Sequence, residues 1–598
     1  MKKLLLIILL FTSGVHLSFS QSNKDYVNGF EKRRNFLLNY LAKKPEVKSI
    51  FTAYAKLYFD KDKEKVIKYI DELTSKPRWS MFLCHHLIDF YLRFKDELPV
   101  LTREKIRNYY VTNYWMRGDT ENHWNLYYSG LYLAAEEWPD ENRWFNGKSS
   151  RKIKEESLEW FNRWMETTVT IGQGEYDSPN YTGVHIGALL SLYDLAKSPE
   201  VRLKAKMMLD YILADYAVDY LKGMYTGGHS RETYYQVTYT KNHNGTTTPV
   251  GFLYFGEADI NPDISQLGFS IIAAISSYRL PFIIYKIATD RGEPYENIEV
   301  HRTRERFRYC GSPFERIYKY SYMTKDYCLC STQGNTSTVE TEIHSWDLSY
   351  VSSEPHSTIF FMHPYYSYKD LSRFFPELPR LLLPQINRVR PYMTGADRWN
   401  GGSPYEQMIQ YKNAIIVIYN IPDDDHFPLI NGFFPESLDE KIDDRSGWVF
   451  CREKNIYIAV KPIKPYFWEE GEYFYRFRSF YRKNGIIMEV DTQDNYHSFD
   501  DFKNQIRSNY LNYKNFDTKM RVEYRSSSGN LLSITYNGGH YLNKKRINYE
   551  CWDTFNSPYL KCKKGSKILE IKYKNICLLY TSDAADELDG VDLGGRRI

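Results

Sequence analysis

The sequence predicts an α+β multidomain chain, with helical hairpins first and an antiparallel β-sandwich after them. Three observations carry this. From about Asp25 to Ala288, apolar residues recur at three-to-four spacing, the period of helices that bury one face. After about Val300, short apolar runs and strict alternation take over, with turn residues between them. The 598 residues exceed what one hydrophobic core usually supports, so two domains are expected.

The elements follow in chain order. Lys2 and Lys3 precede an apolar run, Leu4 to Phe11, and Ser18 and Ser20 flank Phe19. This is the pattern of an export leader, so residues 1–20 are expected to be a signal peptide and the protein periplasmic or secreted. No Cys lies near the cut for a lipid anchor. The run is too short to span a bilayer, and no later stretch approaches ~20 apolar residues, so membrane insertion is not expected. Phe30, Phe36, Leu37, Tyr40 and Leu41 open the helical series. Met81, Leu83, Cys84, Leu87, Phe90 and Tyr91 continue it, with His85 and His86 on the same helix. Leu126–Trp138 and Trp160–Val169 follow. Ser198-Pro199-Glu200 reads as a helix start, with a Ser cap and Pro at the first helical position. Antiparallel helices joined by short loops point to a solenoid or a toroid of helical hairpins, and the lack of a clean repeat period disfavours a TPR-like array. Ala414–Tyr419, Trp448–Phe450, Ile456–Val460 and Gly485–Val490 read as strands. Tyr473, Tyr475 and Phe477 alternate with Phe474, Arg476 and Arg478, which fits a half-buried strand. The boundary is expected near residues 290–305.

The last 22 residues, Cys577–Ile598, resemble the in-frame translation of a sequencing-library adapter. They are expected to be a non-native tail, with the native C-terminus missing and no real element in that stretch. Seven cysteines precede the tail: Cys84, Cys310, Cys328, Cys330, Cys451, Cys551 and Cys562. None sits at zinc spacing, and mostly buried free thiols with at most one disulfide are expected. The charge balance is mild, 79 Lys+Arg against 75 Asp+Glu, and the basic residues are spread out, which excludes a nucleic-acid binder. No cofactor or metal is implied.

Three polar clusters interrupt the helical half. Glu121-Asn122-His123-Trp124-Asn125 follows Arg117-Gly118-Asp119-Thr120. Thr120 or Asp119 can also simply cap the next helix. The second cluster, from Gly172 to His185, holds Glu175, Asp177, a Ser178-Pro179 turn, Asn180, Tyr181 and His185. As structure alone, it is a Ser-Pro turn with buried polar packers. The third, Gly227-Gly228-His229-Ser230-Arg231-Glu232, stops a helix and presents a His and an Arg. Together the three supply what β-elimination from a uronic acid requires. Asn, His or Arg donors neutralise the carboxylate, Tyr or His removes the C5 proton, and Tyr protonates the leaving oxygen.

The Asn-His-Trp helix start, the loop G-x-G-x-x-x-S-P-x-Y and the later Gly-His-Ser-Arg resemble polysaccharide lyases. The similar groups are heparinase II/III-like, alginate-lyase-like and hyaluronate/chondroitin-lyase-like. In architecture the resemblance covers nearly the whole chain after the leader; in motif it covers the three clusters. It implies an (α/α) toroid over residues 21–300, an antiparallel β-sandwich over 301–576, and an anionic polysaccharide substrate cut without a metal. It implies Asn122 as the carboxylate-neutralising group, Tyr181 as the acid and a candidate for the base as well, and Arg231 as the orienting group. His185 and His229 are rival bases. His123, Trp124, Glu175, Asp177, Asn180, His344, Trp346 and His356 are expected to contact substrate. One departure stands out: heparinase-like groups often take a histidine from the β domain in a His-x-His-x-Asp setting. Here only Glu342-Ile343-His344-Ser345-Trp346-Asp347 and Glu354-Pro355-His356-Ser357 come near it, which leaves the base open. A glycoside hydrolase using Glu121, Glu175 and Asp177 is the second alternative. A non-catalytic glycan binder with aromatic platforms is the third.

Overall fold

A computed structural model describes residues 13–118, 120–231, 237–240, 245–303, 316–334, 343–365, 395–399 and 401–581, with side chains from residue 23 onward. Most of the expected leader, as well as Asp119, Glu232, Cys310 and Glu342, lies outside the described residues or their side chains.

Among the described residues, twelve α-helices precede the first long strand: α1 (Ser13–Ala42), α2 (Ile50–Tyr58), α3 (Lys63–Leu73), α4 (Met81–Phe94), α5 (Val100–Thr112), α6 (Glu121–Glu137), α7 (Ser150–Ile171), α8 (Thr182–Leu195), α9 (Pro199–Val218), α10 (Thr247–Tyr254), α11 (Gly268–Ile275) and α12 (Phe282–Thr289). Local chemistry sets several of their starts. The Ser49, Thr120, Ser149 and Ser198 hydroxyls each accept from a backbone N–H in the first turn, and Pro199 opens α9. Neighbouring helices form a closed ring. α2 packs on α4, α4 on α6, α6 on α8, α8 on α11, and α11 back on α2. The ring explains why α8 and α11 carry apolar residues all round: each is covered on every side. This is the expected toroid.

A hairpin of β1 (Tyr220–Leu221) and β2 (Met224–Tyr225) interrupts the helices. Three antiparallel sheets follow. The largest has twelve strands, ordered along the sheet β14 (Phe467–Glu470), β15 (Phe474–Ser479), β10 (Ile430–Pro435), β7 (Thr358–Met362), β6 (Trp346–Tyr350), β5 (Tyr327–Gln333), β4 (Arg316–Met323), β3 (Tyr295–Arg302), β22 (Phe555–Asn556), β23 (Leu560–Cys562), β24 (Ile568–Tyr573) and β25 (Ile576–Thr581). The second is ordered β11 (Glu440–Asp443), β12 (Val449–Glu453), β13 (Ile456–Pro462), β16 (Lys483–Thr492), β9 (Ala414–Asn420) and β8 (Glu406–Tyr411). These two sheets share an apolar core of Leu329, Leu348, Phe361, Val417, Ile458, Phe477 and Met488. Each such side chain contributes roughly 1.5–3 kcal/mol by leaving water. The expected sandwich is therefore present.

The sequence does not foretell its third layer. A sheet of β17 (Leu511–Asn512), β18 (Arg521–Arg525), β19 (Leu531–Thr535), β20 (His540–Leu542) and β21 (Lys545–Arg546) covers the outer face of the second sheet, together with helix α13 (Phe499–Ser508). The toroid packs on the other side, where Phe555, Leu560 and Ile571 join the helical core. The cysteines described before residue 577 are free, and all but Cys551 are buried.

β25 takes in residues 577–581, which the sequence assigns to the foreign tail. An open sheet edge accepts an alternating apolar segment whatever its origin. Pairing of Cys577 with Lys572 and Leu578 with Ile571 is therefore what Cys-Leu-Leu-Tyr-Thr does beside β24.

Candidate functional site

The loop from Gly172 to Tyr181 is built around two requirements. The first is close approach to the sheet. Gly172 ends α7 at φ +84°, and a Cβ there would lie 2.2 Å from the Val300 carbonyl oxygen. A side chain is thus excluded on both counts. The Arg302 N–H then donates to the Gln173 carbonyl at 3.3 Å, tying the loop to β3. The second requirement is a clean start for α8. The Ser178 hydroxyl accepts from the Tyr181 N–H at 3.1 Å, and the Ser178 carbonyl accepts from the Thr182 N–H at 3.1 Å. Tyr181 therefore sits half-buried at the cap position, while the residues behind it are buried.

Glu175 is the hub beneath Tyr181. Its carboxylate accepts from the Asn122 backbone N–H at 2.8 Å and from Asn122 Nδ2 at 2.8 Å. His185 Nε2 lies 3.5 Å from it, and Arg231 Nε lies 3.4 Å from it. Arg231 Nη2 donates in turn to the Tyr181 hydroxyl at 3.1 Å, and the guanidinium stands 4.7 Å from that ring's centre. Five residues from all three sequence clusters thus form one connected group: Asn122, Glu175, Tyr181, His185 and Arg231. Asn122 Nδ2 also donates to Thr120 Oγ1 at 2.8 Å, so its amide hydrogens point at Thr120 and Glu175. His185 is fully buried. Its Nδ1 lies 2.5 Å from Asn125 Nδ2, which makes Nδ1 the acceptor and Nε2 the protonated nitrogen facing Glu175.

His229, from the third cluster, is placed beside the loop at Asp177. Gly227, at φ +95°, brings the backbone over Cys330, where a Cβ would meet Sγ at 2.6 Å. His229 and His344 then exchange both backbone hydrogen bonds, at 2.9 and 2.8 Å, so the toroid and the sheet are stitched together here. His229 Nδ1 faces the Asp177 carbonyl at 2.7 Å. A carbonyl can only accept, so that nitrogen carries a proton, and in the neutral imidazole Nε2 carries the lone pair.

The three carboxylates of the hydrolase alternative are spent on structure. Glu121 is 0% exposed and accepts from Trp164 Nε1 at 2.7 Å, Arg302 Nη2 at 2.5 Å and the Glu175 N–H at 2.7 Å. Glu175, also 0% exposed, is saturated as above. Asp177, 1% exposed, accepts from the Tyr225 hydroxyl at 2.8 Å and from Lys319. None of the three presents an oxygen to a glycosidic bond in solvent.

The other expected contact residues divide. Asn180 borders Tyr181 at the half-buried rim. His344 is next to His229 and faces Asp347 Oδ2 at 3.3 Å. His123 is half-buried against Phe82, and His356 stacks on Tyr473 at 3.9 Å with Nδ1 toward the Thr238 carbonyl. Trp124 and Trp346 are the corrections. Trp124 is buried among Tyr128 and Trp160, and Trp346 lies in the sandwich core, stacked on Phe361. Neither has a ring face to offer a sugar.

Sequence reasoning missed the strand residues beneath the loop. Arg302, Glu299 and His301 come from β3, and Lys319 comes from β4. Lys319 bridges Asp177, Asp219 and Glu299, all fully buried. Burial works against the Lys319 ammonium, yet the three carboxylates hold its pKa well above the ordinary value. Burial, reinforced by Asp177 and Glu299, raises Asp215 well above the carboxylate range. Asp219 is raised too, by burial and then by Glu299. Charged residues inside an otherwise alternating strand were the available signal, since an inward charge there needs a partner.

No protein-family model and no curated protein sequence matches the chain. Among solved structures the chain is similar to heparinase III, at 11% identity and a TM-score of 0.38, over 82% of this chain and 81% of that one. It is similar to the heparan sulfate lyase HepC from Pedobacter heparinus, at 11% identity and a TM-score of 0.36, over 85% and 83%. It is also similar to a mutant of the Streptomyces coelicolor A3 chondroitin AC lyase, at 10% identity and a TM-score of 0.39, over 90% and 83%.

Proposed function

We propose that the protein is an exported polysaccharide lyase that cuts a uronic-acid-containing polymer by β-elimination, with no metal in the chemical step. One observation carries this: the Tyr181 hydroxyl, at the half-buried rim, is held by Arg231 over a fully buried Glu175 that also binds Asn122. Arg231 donates to a lone pair of the Tyr181 oxygen. The hydroxyl hydrogen is then left to point elsewhere, as an acid for a leaving oxygen must. His229 Nε2 is the base that the tautomer assignment favours. In the step, His229 takes the C5 proton and the C–H electron pair forms the C4–C5 double bond. The C4–O bond breaks, and Tyr181 protonates the departing oxygen. Water then returns the proton from His229 to Tyr181. Arg231 neutralises the substrate carboxylate, and Asn122 assists where its amide turns from Glu175.

The test is a panel of uronic-acid polysaccharides, with heparan sulfate and chondroitin first, assayed for new ultraviolet absorbance from the unsaturated product. Tyr181→Phe is expected to lower turnover by about 10²–10⁴-fold while leaving binding intact. Full turnover by that variant, on a polymer the parent protein cuts, would sink the assignment. A polymer that binds but is never cut would favour the glycan binder.

A further inference from the structure

Behind the loop, at the junction of toroid and sheet, lies a second charged cluster that the lyase chemistry does not use. Asp177 from the loop, Asp215 from α9, and Glu299 and His301 from β3 each offer one ligand atom, and these atoms lie within 4.8 Å of one another. Metal–ligand bonds of about 2.1–2.4 Å place ligand atoms at most about 4.8 Å apart, so the four can close on one ion. All four side chains are buried.

Asp177, Asp215, Asp219 and Glu299 are four acidic side chains, and among the described residues Lys319 is the one ammonium ion-paired with them. His301 Nε2 adds a contact to Glu299 at 3.1 Å and to Asp177 at 3.8 Å. Uncompensated carboxylates out of water cost several kcal/mol each. A second observation is independent of this count. Asp215 Oδ1 is buried and, among the described residues, has no hydrogen-bond partner, and no ion pair reaches Asp215. Lys319 serves Asp177, Asp219 and Glu299, and among the described residues nothing comparable serves Asp215.

We propose that Asp177, Asp215, Glu299 and His301 bind a structural divalent cation. Three carboxylate oxygens and one imidazole nitrogen suit an ion of intermediate hardness, of the Mn²⁺ or Zn²⁺ class, better than Ca²⁺. The ion clamps the loop to α9 and β3 from behind. Asp177 touches the proposed base through its backbone carbonyl, which faces His229 Nδ1, while its carboxylate faces the cluster. The inference does not depend on which reaction the site performs.

Two measurements on the full chain test it. The first is elemental analysis of the purified protein, then calorimetric titration of chelator-stripped protein with Mn²⁺, Zn²⁺ and Ca²⁺. One equivalent of Mn²⁺ or Zn²⁺ is expected to bind and to raise Tm by a few degrees. The second uses Asp215→Asn and Glu299→Gln, each checked for folding by circular dichroism. Each folded variant is expected to lose that binding by at least tenfold. Binding of Ca²⁺ alone, binding of no ion, or unchanged binding in folded Asp215→Asn would each overturn the proposal. A Tm that responds to pH but to no cation would overturn it as well, and would mean that protons balance the cluster.

Discussion

Arg302 shows what single residues do here. It is fully buried and donates to Glu121, which in turn accepts the Glu175 N–H. Removing the guanidinium strands a buried carboxylate. Arg302→Met is expected to cost about 3–5 kcal/mol in denaturant unfolding, and adding Glu121→Gln to recover part of that loss. If the double variant is no more stable than the single one, the pair is not what holds the loop. Asn122, Tyr181 and Arg231 were legible in the sequence because polar residues crowded at helix interruptions stand out from a 3.6-residue pattern. Arg302, Glu299 and Lys319 were not. Each is a charge inside a strand, which signals that a partner exists, but for Arg302 and Lys319 that partner lies 100 to 181 residues away and leaves no local trace. Trp124 and Trp346 misled for the opposite reason: a Trp beside a polar motif reads as a sugar platform until burial is known.

At the scale of elements, helix starts and single strands were readable and strand neighbours were not. Ser198-Pro199 opens α9 as its cap chemistry dictates, and the turn at Lys454, at φ +44°, joins β12 to β13 where the apolar runs break. The pairing of β3 with β22 leaves no trace in either strand. The sandwich carries its own titration. Burial pushes Glu406 on β8 up to about 8 and Glu489 on β16 up to about 7, against hydrogen bonds that lower them. Both side chains are neutral in the fold at low pH. The folded state therefore holds more protons than the unfolded chain between about pH 4.5 and 8, and stability falls as pH rises through that window. Glu406→Gln is expected to flatten the fall by on the order of 5 kcal/mol. Thermal melts from pH 5 to 9 decide it, and an unchanged slope in the variant would rule out Glu406 as the source.

At the scale of the molecule, the site belongs to neither half. The toroid supplies Asn122, Tyr181 and Arg231, and the sheet supplies the charges and the His344 backbone that fix their loop. Lys319→Met is accordingly expected to loosen the Asp177 loop. Hydrogen exchange should rise in residues 172–185 while the far side of the ring, α2 and α3, keeps its protection. A uniform rise over both regions would mean that the lysine supports global stability instead.

The glycine at position 172 has a consequence for synthesis. The chain completes its helical ring well before Val300 and Lys319 leave the ribosome. During that interval Glu121, Asp177 and Asp219 have no cations to meet, and the corner of the ring they occupy must stay wet. Gly172 gives the loop a backbone that can wait in the open and later lie flat against a strand that arrives more than a hundred residues afterwards. Docking of β3 and β4 onto that corner is then what brings these carboxylates their cations.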